Sequence, residues 1–466
     1  MTAVSDVEKF TALTNALASG CDDLGILYGR TDCAAYATDA SRKIVVVPQL
    51  VARPTDTRGV SAVLAACHAA GVKVVVQGGR TGLSGGARVL EGEVVLSLER
   101  LNDCGQPDML AGSIEVGAGA SLQKVQDAAG AAGLMFGVDI GARGTATIGG
   151  MIATNAGGIR VLGYGMMRAQ TVGIEAVLAD GTILRDMRGL DKNNAGLDLT
   201  QLFVGSEGTL GVVTHAKLRL RVKPDFSTTA LCAVANVDAA LNLLMALRKG
   251  LGSTLTAFEG IWPEVYAGAV GLASNSPLPV GAGLYVLVEI HGFTGATQQE
   301  ALENALMQAL ELGLIEDVVV AQSGREEAAL WHLRELCTEF TFSLGQLQPH
   351  DVSLPLRNLS DFVRQADALV AQLDSAAQVM IYGHLGDGNL HYLVKTEQRS
   401  QIAAAVNKLA ADLGGSVTAE HGIGLDKRAY LPLVSGPAEM NAARRVIEAL
   451  NPNRVLNRGR VISEFE

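Results

Sequence analysis

Thr145-Ala146-Thr147-Ile148-Gly149-Gly150-Met151-Ile152-Ala153-Thr154-Asn155-Ala156-Gly157-Gly158 holds no charged or aromatic side chain, and nearly every residue in it is small. Such a segment cannot build a core through its own bulk. It can bring backbone N–H groups, with the Thr and Asn side chains, close against a large partner, because glycine permits close approach and positive φ. The alternative is a close-packed helix and turn whose small residues only let two elements touch. Two further clusters favour the ligand reading: Gly78-Gly79-Arg80-Thr81-Gly82-Leu83-Ser84-Gly85-Gly86 and Gly205-Ser206-Glu207-Gly208-Thr209-Leu210-Gly211. Three loops of this composition point to one extended, phosphate-bearing ligand.

The surrounding pattern is that of alternating strands and helices. Residues 44–47, closed by Pro48, predict a buried strand. Arg53-Pro54-Thr55-Asp56 opens a helix reaching Ala70, with Gly71 just past its end. Residues 72–76 form the strand that delivers the first glycine cluster. The glycines of that cluster are not spaced as G-x-G-x-x-G, and residues 94–98 read as a strand where a helix should follow, so a Rossmann NAD site fits poorly. A strand from Ile114, a helix over 121–132, strands over 171–178 and 212–220 and a hairpin turn at Asp180-Gly181 complete a domain that ends near Lys223-Pro224. Before it, residues 1–43 form a helical lead-in with Phe10, Leu13 and Leu17 at helical spacing. Beyond Pro224, strands and helices alternate over 232–320, and the spacing predicts an antiparallel sheet covered on one face. A helical segment follows over 326–344.

At 466 residues, two or three domains are expected. The formal charge of −11 and the absence of a Lys/Arg run speak against nucleic acid as a partner. No apolar run reaches the ~18 residues of a membrane span, and the start of the chain lacks the pattern of a signal peptide. Six cysteines (Cys21, Cys33, Cys67, Cys104, Cys232, Cys337) show no C-x-x-C spacing and read as dispersed thiols of a reducing cytoplasm.

The second half carries a different chemistry. Residues 380–384 and 390–394 predict two strands of a hairpin around Leu385-Gly386-Asp387-Gly388-Asn389, which places His384 and His391 near each other across the ladder. A strand-like run over 416–419 ends at Glu420-His421-Gly422-Ile423-Gly424. Two imidazoles and one carboxylate make a His₂Glu set suited to zinc or a similar divalent ion. Hydrogen-bonded core histidines are the alternative, and spacing alone favours them, because Glu420 comes from a segment remote from the hairpin. In Trp331-His332-Leu333-Arg334-Glu335, an Arg at an apolar helix end can grip a carboxylate with two prongs. A surface Arg paired with Glu335 is the ordinary alternative.

Taken in order, residues 78–87, 146–158, 202–214, 382–391 and 419–424 resemble the vanillyl-alcohol-oxidase-type flavoproteins, within them the D-2-hydroxyacid dehydrogenase branch (D-lactate, glycolate-oxidase-subunit and D-2-hydroxyglutarate dehydrogenases). The resemblance implies an α+β fold: a two-part FAD-binding domain of the PCMH type over 44–222, an antiparallel-sheet substrate or cap domain with a metal site over 223–420, and a segment over 421–466 that returns to the flavin. FAD contacts are implied at Gly78, Gly79, Arg80, Thr81, Gly82, Gly141, Gly149, Thr154, Asn155, Gly157, Gly158, Glu207, Gly208, Gly211, Val213 and Asn457. The FAD is expected to be non-covalent, since neither glycine loop at the flavin carries His or Cys. Two departures from the family pattern are Val138-Asp139-Ile140-Gly141 for Pro-Asp-Pro-Gly and Asn457-Arg458-Gly459 for Asn-Pro-Gly.

The same resemblance implies metal ligands at His384, His391 and Glu420, zinc before manganese, a base at His421, and substrate contacts at Arg334, Thr338 and Asn389. The D-2-hydroxyglutarate enzymes carry a Lys two residues before the Asp of Asp-x-Ser-Leu-Pro, to meet the distal carboxylate. Here the motif is Asp351-Val352-Ser353-Leu354-Pro355, and Pro349 stands at the Lys position, with His350 and Arg325 as the nearby substitutes. The implied reaction passes the C2 hydride of a D-2-hydroxy acid to FAD and the electrons to an electron-transfer flavoprotein, quinone or cytochrome. A flavin-bearing subunit of a larger complex, a direct oxidase and, with the glycine clusters unexplained, a zinc hydrolase are the rivals. A homodimer, cytoplasmic or peripheral to the inner face of a membrane, is the candidate assembly.

Overall fold

The computed structural model describes residues 6–20, 23–273 and 275–463. The chain forms two compact units: residues 1–157, 166–223 and 420–466 make the first, and 158–165 with 224–419 the second. Cys21 lies outside the described residues; Cys33, Cys67, Cys232 and Cys337 are buried free thiols, and Cys104 is half-buried.

In the first unit, β1 (Leu27–Tyr28), β2 (Leu50–Ala52), β3 (Lys73–Gln77) and β4 (Glu93–Ser97) form one sheet in the order β1-β2-β4-β3, with β2 and β3 both parallel to β4. The helix joining β2 to β3, α2 (Thr57–Ala70; α1 is Asp6–Gly20), starts where Asp56 accepts the Gly59 N–H at 2.8 Å and stops at Gly71, φ 68°. Both ends follow the sequence signals. The strand expected at 44–47 does not form: Ile44 and Val45 are exposed, and the buried strand is Leu50–Ala52. Only the segment beyond Pro48 lies beside β4, where three successive buried side chains each contribute to the core; a buried Val or Leu stabilises by about 1.5–3 kcal/mol. A second sheet, β5 (Ser113–Gly117), β6 (Thr171–Val177), β7 (Ile183–Asp186) and β8 (Val212–Arg219), is antiparallel in the order β5-β8-β6-β7. It packs on α3 (Leu122–Ala131) and α4 (Ile148–Thr154) through Val125, Ile148, Ile152, Ile174 and Ala216. The chain returns late to the first sheet. Asn457 N–H bonds the Val74 carbonyl at 2.9 Å, and fully buried Arg460 pairs with both oxygens of Glu93 (2.6 and 2.9 Å) and with the carbonyls of Gly86 and Arg88.

In the second unit, β9 (Phe226–Val234), β10 (Leu255–Ile261), β11 (Leu284–Gly292), β12 (Asp317–Val320), β13 (Gln348–Ser353), β14 (Gln378–Gly383) and β15 (Asn389–Lys395) form an antiparallel sheet in the order β12-β9-β11-β10-β14-β15-β13. Helices cover both faces, not one. Val286, Val288, Phe258, Ile381 and Tyr392 pack beneath α5 (Val237–Leu251), α7 (Gly295–Glu311), α9 (Leu359–Leu373) and α10 (Arg399–Asp412). Tyr285, Leu287, Ile261, Met380 and Tyr382 pack against α6 (Pro263–Leu272) and α8 (Gly324–Ser343). The central strands β10 and β11 are buried on both alternating faces, so exposure of either face would be costly. The run expected at 416–419 makes one isolated bridge, Ser416 to Ser353, rather than a strand. Among the described residues, no helix is long and apolar enough to cross a membrane.

Candidate active site

The three glycine clusters meet within the first unit. A Cβ at Gly78 would overlap Thr147 Oγ1 and one at Gly79 the Thr145 carbonyl, so the first cluster lies against the opening of the 145–158 stretch. Thr147 Oγ1 accepts the Gly79 N–H at 3.2 Å. The third cluster closes the far end of α4: Gly205 N–H bonds the Ile152 carbonyl and Glu207 N–H the Ala153 carbonyl. The central stretch is thus a short helix with a left-handed Asn155 at its end (φ 51°) and also the junction of both loops. The close-packed helix-and-turn alternative describes this geometry.

Several side chains there are engaged in building the cradle. Asn457 Oδ1 accepts the Val76 N–H at 2.9 Å while its Nδ2 donates to the Glu207 carbonyl at 2.6 Å, which ties β3 to the third cluster. A Cβ at Gly208 (φ 71°) would stand 2.5 Å from that Nδ2, so glycine is required. Asn155 Oδ1 accepts the Arg168 N–H, and Thr154 Oγ1 donates to the Gly150 carbonyl. Gly149 and Gly211 are explained by packing on Ala118 and on Phe203, and Val213 by the core beneath. Other groups remain open to a ligand. Arg80 lies over the Tyr36 ring at 4.7 Å with Nη1 buried and without a hydrogen-bond partner, and a Cβ at Gly82 or Gly141 would meet no atom. A buried guanidinium nitrogen beside bare glycine backbone fits an anionic group such as a pyrophosphate.

The Glu207 carboxylate does not face this cradle. It accepts the N–H groups of Ile423 (2.7 Å) and Gly424 (2.8 Å), in the turn that follows His421. Burial pushes its pKa up, and the two N–H groups offset this only in part. Gly422 (φ 73°) has no room for a side chain beside that carboxylate.

The second unit assembles its polar side chains on the α8 face of the sheet. In the β14–β15 hairpin Tyr382 is the ladder partner of His391. His384 lies in the turn, where its carbonyl accepts from Asp387 and Asn389, and its ring meets His391 edge-on with centroids 5.5 Å apart. On β13, Asp351 is the partner of His391, with Oδ1 4.0 Å from Nδ1. Asn389 Nδ2 donates to Asp351 Oδ1 (3.0 Å) and the Val352 carbonyl (2.9 Å), leaving its own Oδ1 buried without a hydrogen-bond partner. Asp351 also receives the Ala419 N–H at 3.2 Å, which fixes the chain one residue before Glu420.

Arg334 is neither at a helix end nor on the surface. It is buried in the middle of α8, with Cζ 4.8 Å over the Tyr382 ring, and Tyr382 Oη donates to Thr338 Oγ1 at 3.3 Å. Its partner is Glu259 on β10, which sequence reasoning did not single out. Glu259 Oε2 accepts from Arg334 Nε (3.0 Å) and Nη2 (2.9 Å), and Oε1 lies 2.8 Å from His384 Nδ1. Burial works against the guanidinium charge, but Glu259 outweighs it and raises the Arg334 pKa. The available signal was a lone carboxylate inside the apolar run Leu255–Ile261. Glu289 on β11 follows the same rule: fully buried, it accepts from Arg160 (2.7 and 2.8 Å), Trp331 (3.0 Å) and Thr256 (2.9 Å), with His291 Nε2 3.2 Å away. His350 does not reach this face. It pairs with Tyr392 on the opposite side, its ring 6.2 Å from that of Tyr392, while Arg325 is exposed in the first turn of α8.

Residues 48–186 match the family described as FAD binding domain, and residues 223–461 the family of FAD linked oxidases, C-terminal domain. The chain is 38% identical over 451 residues to a D-2-hydroxyglutarate dehydrogenase of Xanthomonas citri pv. viticola, covering 93% of each chain. It belongs to the FAD-dependent D-2-hydroxyacid dehydrogenases. The mitochondrial D-2-hydroxyglutarate dehydrogenase of Bos taurus is 36% identical to this dehydrogenase, covering 88% of this chain and 76% of that one. In fold the dehydrogenase is similar to p-cresol methylhydroxylase with substrate bound (TM-score 0.78, 14% identity, 98% of this chain and 97% of that one) and to 4-ethylphenol oxidase from Gulosibacter chungangensis (TM-score 0.74, 17% identity, 99% of each). The vanillyl-alcohol-oxidase-type α+β architecture and FAD as cofactor therefore stand, and a zinc hydrolase does not.

Proposed function

We propose that this dehydrogenase oxidises a D-2-hydroxy acid with a short or apolar tail, D-lactate foremost, to the 2-oxo acid. The observation that carries the reading is the row beside His391 and Asp351: Pro349, Leu393 and Met380 are ladder neighbours across β13, β15 and β14. No cation stands in that row, and His350 points to the other face. A second carboxylate buried there without a partner is unfavourable by several kcal/mol. The curated relatives are named for D-2-hydroxyglutarate, which makes that acid the competing substrate.

In this reading residues 44–222 and 421–466 carry the flavin, with the pyrophosphate at Gly78, Gly79, Arg80, Thr81 and Gly82, and residues 223–420 carry the substrate. His384, His391 and Glu420 are a group able to hold a metal ion. Their donor set suits zinc or manganese, which would polarise the substrate hydroxyl. With Glu259 at His384 Nδ1, Nε2 is the nitrogen that would meet the ion. Arg334 and Thr338 hold the substrate carboxylate, Asn389 Oδ1 accepts a substrate hydrogen bond, and His421 takes the hydroxyl proton as C2 is oxidised. FAD supplies the acceptor for the C2 hydride, since no side chain stores two electrons. Electrons then pass to an electron-transfer flavoprotein, quinone or cytochrome.

The test is kcat/KM for D-lactate, D-2-hydroxybutyrate, D-mandelate and D-2-hydroxyglutarate with one dye acceptor, with and without added zinc or manganese. D-2-hydroxyglutarate leading by tenfold or more, about 1.4 kcal/mol, refutes the apolar-tail reading. Full activity after exhaustive chelation, with no metal by elemental analysis, refutes the metal.

A further inference from the structure

We infer that Glu259 is a positioning residue that couples the metal ligand His384 to the carboxylate-binding Arg334; this rests on the reading of those two residues given above. Three donors converge on its two oxygens. Arg334 Nε and Nη2 share Oε2, and His384 Nδ1 meets Oε1. A carboxylate only accepts, so the proton of His384 resides on Nδ1 and Nε2 is the nitrogen that would meet a metal. The same carboxylate fixes the Arg334 guanidinium by one edge against the Tyr382 ring, and its Nη1 side is the part left for a substrate carboxylate.

The arrangement has a second effect. Glu259 is almost completely buried, and its charge balances that of Arg334. The pair therefore presents no net positive charge to the substrate. Arg334 selects one carboxylate by geometry, and a second anionic group gains nothing from it.

An amide cannot replace Glu259, because three donors would face one acceptor and one NH₂ group. Turned toward His384, the amide nitrogen forces the proton onto Nε2; turned toward Arg334, it opposes the guanidinium. Glu259→Gln is expected to weaken zinc binding tenfold or more in a chelator competition and to raise KM for D-lactate tenfold or more. FAD content should equal that of the unaltered chain. Glu259→Asp keeps two acceptors on a shorter stem that cannot span both partners, so one of the two readouts should fall and the other stay. If the unaltered chain binds zinc, His391→Ala loses it, and either Glu259 variant keeps both zinc affinity and KM within twofold, the coupling is wrong. If the unaltered chain binds no zinc, it is the metal reading that fails. A Glu259→Gln chain that does not fold leaves the decision to Glu259→Asp.

Discussion

Glu207 in the first unit and Glu289 in the second are both withdrawn from water, and their protons respond in opposite directions. Glu207 is met by two backbone N–H groups, and burial prevails, so its pKa is raised. Glu289 is fully buried, yet Arg160 and His291 overcome the burial and lower its pKa. The difference extends to the two regions. The first unit brings bare backbone together at its glycine clusters, and at Gly78, Gly79 and Gly208 a Cβ would collide with a neighbour. The second makes its site from charged and aromatic side chains held by one another. Backbone dipoles tolerate a neutral partner; full charges demand a charged one.

This contrast predicts that the two regions fail independently. His391→Ala is expected to lower kcat/KM at least a hundredfold and to empty the metal site while FAD is retained, as followed by flavin absorbance and elemental analysis; loss of both cofactors would break the comparison. Gly79→Ala, whose Cβ would collide with the Thr145 carbonyl, should do the reverse, lowering FAD occupancy tenfold or more with the zinc content of the protein unchanged. A smaller effect sharpens the account of the second region. Pro349→Lys places a cation in the Pro349–Leu393 row and should raise kcat/KM for D-2-hydroxyglutarate about tenfold relative to D-lactate, about 1.4 kcal/mol.

The carboxylate contrast itself is tested by the pH dependence of stability. The folded-state pKa of Glu289 lies below its ordinary value of 4.5, so the folded protein binds fewer protons there. That stability is fully present above pH 4.5 and is lost as pH falls toward the folded pKa, at up to about 1.4 kcal/mol per pH unit for one proton. Glu207 has the opposite sign: its contribution declines as pH rises from 4.5 toward its raised folded pKa. Denaturant midpoints between pH 3 and 6 should show a shallower acid limb for Glu289→Gln and a steeper one for Glu207→Gln; equal limbs would remove the distinction drawn between the two carboxylates.

Local signals were legible where the chain decides its own conformation. The Asp56 and Gly71 ends of α2, the glycine clusters and the 380–394 hairpin all rest on neighbours in sequence. What was not legible depends on distant partners. Glu259 acquires its meaning from Arg334 and His384, 75 and 125 residues away. His350 lay one residue from Pro349, but alternation along β13 sends it to the opposite face. Residues 44–47 carried a strand's composition, yet only 50–52 find β4 as a partner. The second cover on the large sheet was concealed because a strand buried on both faces reads as a continuous apolar run, without the alternation that would betray a missing layer.

The late return of the chain to β3 has a consequence for synthesis. A ribosome adds roughly 5–20 residues per second, so Val74 and Glu93 are made well before the partners they await, Asn457 and Arg460. Until those residues emerge, the edge of β3 lacks its closing bond and the Glu93 carboxylate its buried counter-ion. The first unit to be translated is thus the last to be completed, and a nascent chain stopped short of residue 457 should expose that edge to chaperones rather than capture flavin.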